Sequence, residues 1–275
     1  MGDLDHEARR RYIGASEVPA IVGCCPFKSR LEIWASKMGM PYEAGAQADI
    51  GHLFEGPLLR HYEKLNGVKV EAMGTMQRTE APWMAATPDG IVKAQRRNVQ
   101  VKVVGQHMAH HWRDGVPEYV QVQVQWEMWV ADCVDSHVVA CVGGTDYQEH
   151  LVPRDEEMID LLIGACGDFW RDYVLTGTMP EIDGSEEAKR VLKWKYKSRT
   201  AGFEVASGEM VSLAREYIQL GAQLDEMKER RDMIGNIIKV TIGHRDGLRW
   251  DGGTITWTPN KLGVRTLLVK EKRRR

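Results

Sequence analysis

Thr87-Pro88-Asp89-Gly90, followed by Val99-Gln100-Val101-Lys102, is the pair of segments on which the reading of this chain turns. Pro-Asp-Gly is turn chemistry and sets a carboxylate at a strand end. The second segment is a β-branched run, and residues i and i+2 of a strand share a face. Gln100 and Lys102 therefore project to one side, and Val99, Val101 and Val103 to the other, where they can be core. With Asp89 from the preceding turn, the polar pair converges on one small volume. A carboxylate, a second oxygen donor and a lysine form the skeleton of metal-dependent phosphodiester hydrolysis. A divalent ion lowers the pKa of bound water and neutralises developing charge, while the lysine orients or deprotonates that water. Gln100 departs from this chemistry. Hard cations gain most from carboxylates, and an amide offers one neutral oxygen.

Taken singly, Asp89 is an ordinary turn residue, and Gln100 with Lys102 a solvated strand edge. The conjunction is more specific. It gains from Glu55, a carboxylate within the helical stretch Gly51-His52-Leu53-Phe54-Glu55-Gly56-Pro57, and from Gln121, Gln123 and Gln125 downstream.

The bulk numbers fit a globular chain. At 275 residues it can bury a full core, and 43% hydrophobic with 28% charged residues is ordinary for such a protein. No apolar run approaches a membrane span and the N-terminus lacks a signal-peptide core, so the cytoplasm is the expected compartment. Cys24, Cys25, Cys133, Cys141 and Cys166 are odd in number without paired C-x-x-C spacing, which argues for reduced thiols over disulfides or a zinc ribbon. A net charge of −2 excludes a surface basic throughout. Contact with nucleic acid must then be local, from Arg9-Arg10-Arg11, the 189–199 stretch or the run from Lys270 to Arg275.

Along the chain, Ser29-Arg30-Leu31-Glu32 reads as a capping box opening a helix that stops at Gly39. A second helix is expected from about 46 to 66, ended by Gly67. Strands follow at 68–72, 75–79, 83–87, 91–93, 98–104, 137–142 and 147–152, then a helix over 155–175. The segment 119–129 is ambiguous, because its QVQVQ alternation mimics a strand while its length suits a helix. A composition shift at 180–185 marks a boundary between a domain of residues 1–183 and an extension of residues 184–275. In the extension, Met210, Leu213, Tyr217, Leu220, Leu224, Met227, Arg231, Ile234 and Ile238 recur at steps of three and four on a helix over 207–242. Folding back on its own domain is the first expectation for it, and pairing between subunits the second. A hairpin over 247–258 and a basic tail complete the chain.

The blocks Arg10-Arg-Tyr-Ile-Gly-Ala-Ser-Glu-Val18, Gly51-His-Leu-Phe-Glu55, Trp83-Met-Ala-Ala-Thr-Pro-Asp89-Gly, Val99-Gln-Val-Lys102, Val116-Pro-Glu-Tyr-Val-Gln-Val-Gln123 and Phe169-Trp170 also carry a family resemblance. In order and spacing they resemble the YqaJ-type viral recombinases of the phage lambda exonuclease family, over roughly residues 8–183. The resemblance implies an α/β (α+β) fold with a restriction-endonuclease-like PD-(D/E)xK core, a central mixed sheet flanked by helices. It implies an Mg2+-dependent (Mn2+ as the substitute) 5′-to-3′ exonuclease on double-stranded DNA ends, phage or prophage encoded and working in a bacterial host. Such an enzyme leaves a 3′ single-stranded tail for an annealing protein, and a homotrimeric ring encircles the DNA. By position, Asp89 would be the metal-binding aspartate, Lys102 the motif lysine, and the Val101 carbonyl a backbone metal ligand. Glu55 would be the upstream carboxylate and Gln123 the helix glutamine beside the lysine. Ser16, with one or more of Arg9, Arg10 and Arg11, matches the 5′-phosphate pocket. The resemblance also places 119–129 on a helix.

At Gln100 the family pattern has an acid, usually glutamate. Two explanations compete. The near-isosteric amide keeps the shape and removes the charge, as a deliberate inactivating change would; the intact remaining blocks favour this. The other is a natural variant, up to a non-cleaving protein that holds DNA ends. An iron–sulfur branch of the fold would need a C-terminal cysteine cluster, and no cysteine lies beyond Cys166. A general endonuclease is the remaining rival. His107, His110 and His111 lack a matching ligand pattern and read as solvent- or DNA-facing, Trp112 as packing, and Trp126 and Trp129 as core rather than a base-stacking platform.

Overall fold

A computed structural model describes residues 6–41 and 46–272. The chain divides into two compact units, Met1–Arg199 and Thr200–Arg275. In chain order the helices are α1 (His6–Arg9), α2 (Val18–Ile21), α3 (Arg30–Lys37), α4 (Ala46–Asn66), α5 (Glu118–Ala131), α6 (Glu156–Phe169), α7 (Glu186–Lys195) and α8 (Gly208–Ile242). The strands are β1 (Ile13–Gly14), β2 (Met76–Gln77), β3 (Met84–Ala86), β4 (Gly90–Val92), β5 (Arg97–Val104), β6 (Asp135–Val142), β7 (Asp146–Pro153), β8 (Gly247–Trp250), β9 (Gly253–Pro259) and β10 (Arg265–Glu271).

The first unit is built on a four-stranded mixed sheet, order β4-β5-β6-β7, in which only β5 and β6 run parallel. A parallel pair needs a crossover, and α5 is that crossover. Its QVQVQ alternation is helical because apolar Val120, Val124 and Met128 recur every fourth residue and pack on Val138, Ala140 and Val142 of the sheet. The opposite face is covered by α4, whose Tyr62 meets Val92, Val99, Val101 and Val139. Both faces of β5 are thus enclosed, which buries Asn98 and Gln100 as well as Val99 and Val101. Val103, expected in the core, is instead 36% exposed. The strand has passed beyond the cover of α4, and Val104 on the other face is the buried residue.

A smaller sheet, order β1-β3-β2, sits beside α5, and Trp126 of α5 ties it in by donating from Nε1 to the Ala85 carbonyl at 3.0 Å. Trp126 is core, as expected. The 68–72 segment contributes only one bridge, Glu71 to Ile91, and not a full strand. Ser29 caps α3, accepting from Glu32 N at 3.3 Å, and Gly39 closes it at φ +102°. Helix α7, which the sequence reading put in the extension, buries Ala188 and Val191 in the core shared by α3 and α6. Two apolar side chains one turn apart suffice to hold it there.

The second unit is α8 with a three-stranded antiparallel sheet, order β10-β9-β8. Ser207 caps α8 and Gly243, at φ +59°, follows its end. Ile242 is buried, while Met210, Leu213, Tyr217, Leu220, Leu224 and Met227 are exposed. Beyond the hairpin expected over 247–258, where a basic tail was expected, strand β10 adds a third strand; Arg265 stacks on Trp257 at 3.8 Å and donates to the Gly243 carbonyl at 2.9 Å. Arg273–Arg275 lie outside the described residues. No helix among the described residues is long and apolar enough to cross a membrane.

Candidate active site

The strand period sets the site. Asn98, Gln100 and Lys102 line one face of β5, and across from them α5 presents Gln123 and Glu127, one helical turn apart. Asp89 arrives from the turn between β3 and β4. Its Oδ2 accepts from the Val101 backbone N–H at 2.7 Å and from Gln100 Nε2 at 2.5 Å. Lys102 Nζ donates to Gln123 Oε1 at 2.8 Å. Sequence-expected Asp89, Gln100, Val101, Lys102 and Gln123 thus meet in one cluster.

The electrostatics are those of a crowded acidic pocket. Burial pushes the Asp89 carboxyl up to about 8; the Lys102 charge opposes this, and the charges of Glu127 and Glu55 add to it. Glu55 therefore acts on the site through its field, while its side chain lies 3.5 Å from His52 Nδ1. Burial likewise raises Glu127, against Lys102 and hydrogen bonds from Gln123 and Asn98.

The donor set suits a hard cation. Asp89 offers a carboxylate, Val101 a carbonyl and Gln100 an amide oxygen, and buried Gln100 Oε1 has no hydrogen-bond partner among the described residues. A buried oxygen without a donor and a carboxylate forced toward protonation are both relieved by a positive ion. Among the described residues no group of three or more His, Cys, Asp and Glu is placed to hold a metal, so such an ion would rest on fewer anionic ligands than usual.

A second feature occupies the same unit. Arg9, Arg10, Ser16, Lys28 and Ser36 line a cavity of about 500 Å³, with Arg9 Nη2 3.4 Å from Ser16 Oγ. Glu17 and Glu32 line it as well, and Glu17 forms a buried ion pair with Lys37 at 2.6 Å. Lys37 also donates to the Arg9 carbonyl at 2.8 Å, and Glu17 Oε2 accepts from Gly14 N at 2.8 Å. Burial lowers the Lys37 amine, and Glu17 opposes that shift. Arg11 is exposed and does not line the cavity. Strands β1 and β3 are parallel neighbours, Gly14 opposite Ala85, so the segments carrying Ser16 and Asp89 leave from the same end of the pair.

Asn98, Glu127, Lys28, Ser36 and Lys37 belong to these sites and were not singled out in the sequence. Asn98 continues the i, i+2 face of Gln100 and Lys102, and Glu127 is one turn from Gln123, so period alone could have found both. Gln121 and Gln125 are structural, bonding the Val116 and Pro153 carbonyls at 2.6 and 2.8 Å. His107, His110 and His111 are exposed, and Trp112 is 2% exposed and packs in the core.

A mixed sheet enclosed by helices thus carries an acid, an amide and a lysine together at its long strand β5. Residues 6–134 match the model of the YqaJ-like viral recombinase domain. The chain is 26% identical over 242 residues to the uncharacterized protein YqaJ of Bacillus subtilis (strain 168), covering 84% of this chain and 75% of that one. Its fold is similar to the alkaline exonuclease LHK-Exo of Laribacter hongkongensis, at TM-score 0.52 and 16% identity over 71% of this chain and 97% of that one. LHK-Exo in complex with dAMP gives TM-score 0.54, again at 16% identity, over 70% and 97%. At that identity the likeness establishes the fold.

Proposed function

We propose that the chain is built as an Mg2+-dependent 5′-to-3′ exonuclease on linear double-stranded DNA, with a metal site weakened by Gln100. The observation carrying this reading is the convergence of Asp89, Gln100, the Val101 backbone and Lys102, with Lys102 held by Gln123 at 2.8 Å. Asp89, Gln100 and the Val101 carbonyl would hold the ion, with Mn2+ as its substitute and Glu55 contributing charge. When bound, the ion supplies an activated water and charge neutralisation at the phosphorus. Lys102 orients that water and offsets phosphate charge. The cavity of Arg9, Arg10 and Ser16 takes a terminal 5′-phosphate, since guanidinium and hydroxyl groups match its oxygens. The 3′ tail would pass to a single-strand annealing protein, and a homotrimer ring would retain the duplex.

One observation favours a second reading, a natural protein that holds DNA ends without cutting. Gln100 Nε2 donates to Asp89 at 2.5 Å, so the amide satisfies the aspartate with no cation. Digestion of linear 5′-phosphorylated duplex in Mg2+, by this chain beside Gln100→Glu, separates them. Digestion by the glutamate form alone supports the exonuclease with a weakened metal site. Digestion by both overturns the role given to Gln100. Digestion by neither, with both holding ends, favours the end-binding protein.

A further inference from the structure

Glu127 is 1% exposed, and both its oxygens are engaged. Oε1 accepts from Gln123 Nε2 at 2.8 Å and Oε2 from Asn98 Nδ2 at 2.8 Å. Asn98 Nδ2 also reaches Ser136 Oγ at 2.9 Å. A continuous buried chain therefore runs Ser136, Asn98, Glu127, Gln123, Lys102, drawing on β6, β5 and α5.

An amide is nearly symmetric in shape, so the pocket around Gln123 does not decide which end carries oxygen; hydrogen-bond partners do. Lys102 Nζ is a donor only, and both Glu127 oxygens act as acceptors, from Gln123 Nε2 and Asn98 Nδ2. With the carboxylate on one side, Gln123 must turn its NH2 toward Glu127, which leaves Oε1 for the lysine. Were residue 127 able to donate, the amide could reverse and present two N–H groups to an ammonium. The bond at 2.8 Å between Lys102 and Gln123 would then be lost.

We propose that Glu127 is a positioning residue for Lys102, acting through the amide orientation of Gln123. Its catalytic meaning rests on the nuclease reading above; its geometry does not. Asn98, anchored on Ser136, holds the carboxylate in place from behind. Glu127 touches neither substrate nor the reacting atoms.

The test is the reactivity of the Lys102 amine, read by trace acetylation and peptide mass spectrometry on the full chain. In Glu127→Gln, Lys102 should acetylate at least about threefold faster than in the parent, as loss of a charge-assisted hydrogen bond requires. Exposed Lys93, ion-paired with Glu71 at 2.6 Å, should be unchanged. Glu127→Met removes the acceptor altogether and leaves the Gln123 amide unheld, so Lys102 labelling should shift in the same direction should the glutamine variant fold poorly. In a Gln123→Ala background, Glu127→Gln should have a clearly smaller effect on Lys102, because only the direct attraction between the two charges is left. A general loosening of α5 would instead act equally in both backgrounds. Parent-like labelling of Lys102 in a folded Glu127 variant overturns the proposal whatever a digestion assay gives. Faster labelling, with no digestion by the chain or by Gln100→Glu, upholds the positioning role and removes the nuclease reading alone.

Discussion

The side-chain nitrogen of Gln100 lies 2.5 Å from Asp89 Oδ2, in the place where a metal-binding pair of this kind needs two oxygens facing one ion. The amide has to turn for its own Oε1, which has no partner among the described residues, to face a cation beside Asp89. Turning it also gives up the hydrogen bond to Asp89. Replacing it with glutamate removes that competition and adds a charge. Gln100→Glu should therefore raise Mg2+ affinity by at least about tenfold, equivalent to roughly 1.4 kcal/mol. Calorimetric titration without DNA measures this directly, and equal affinities would take Gln100 out of the ligand set.

Asp89 gives a pH dependence with a definite sign. Its carboxyl is raised from 3.8 to about 8 in the fold, so between those values the folded state holds a proton that the unfolded state has lost. Stability from this group is therefore full below about pH 4 and falls as pH rises toward 8. The melting temperature of the metal-free chain should drop over this window more steeply than that of Asp89→Asn, and each kcal/mol of difference is worth about 2–4 °C. Mg2+ should recover more stability at pH 8 than at pH 6. Parallel curves for chain and variant would remove Asp89 as the titrating group.

The Arg9–Ser16 cavity predicts discrimination between DNA ends. Ser16→Ala removes one hydroxyl and should weaken binding of 5′-phosphorylated duplex several-fold, about 1 kcal/mol, with little effect on 5′-hydroxyl duplex. Arg9→Ala should cost more, because it removes a charged donor. Fluorescence anisotropy with the two kinds of end reads both. Identical losses on both ends would show that the cavity does not hold the phosphate.

The Lys37–Glu17 pair is buried, and removing one partner leaves an uncompensated charge. Lys37→Met should destabilise the first unit by about 3–5 kcal/mol in urea unfolding. Lys37→Met with Glu17→Gln should regain much of that loss. Additive losses would mean that the pair is not the source.

How much of this was legible beforehand depended on period and on burial. The Asp89 turn, the β5 face of Gln100 and Lys102, and the capped helix α3 follow from local rules. The helical state of 119–129 did not, since valine and glutamine alternate through both patterns and only the sheet beneath chooses between them. Glu127 was legible one turn from Gln123 but attracts notice only once burial is known, because an ordinary glutamate on a helix is solvated. Val103 was misread for a related reason: alternation assigns a face and cannot say where the covering helix ends. Strand β10 was missed because its pairing partner β9 supplies what its own sequence lacks.

The parallel register of β1 on β3 has one more consequence. Ile13 N bonds the Trp83 carbonyl at 2.6 Å, and Gly14 lies opposite Ala85. If Ser16 grips the terminal phosphate and Asp89 marks the bond to be cut, the distance between grip and blade is a gauge ruled in main-chain hydrogen bonds. Point substitutions at either end then alter how often the gauge is used and leave its length alone. Only an inserted or deleted residue in 15–17 or 87–89 would change the size of the piece released.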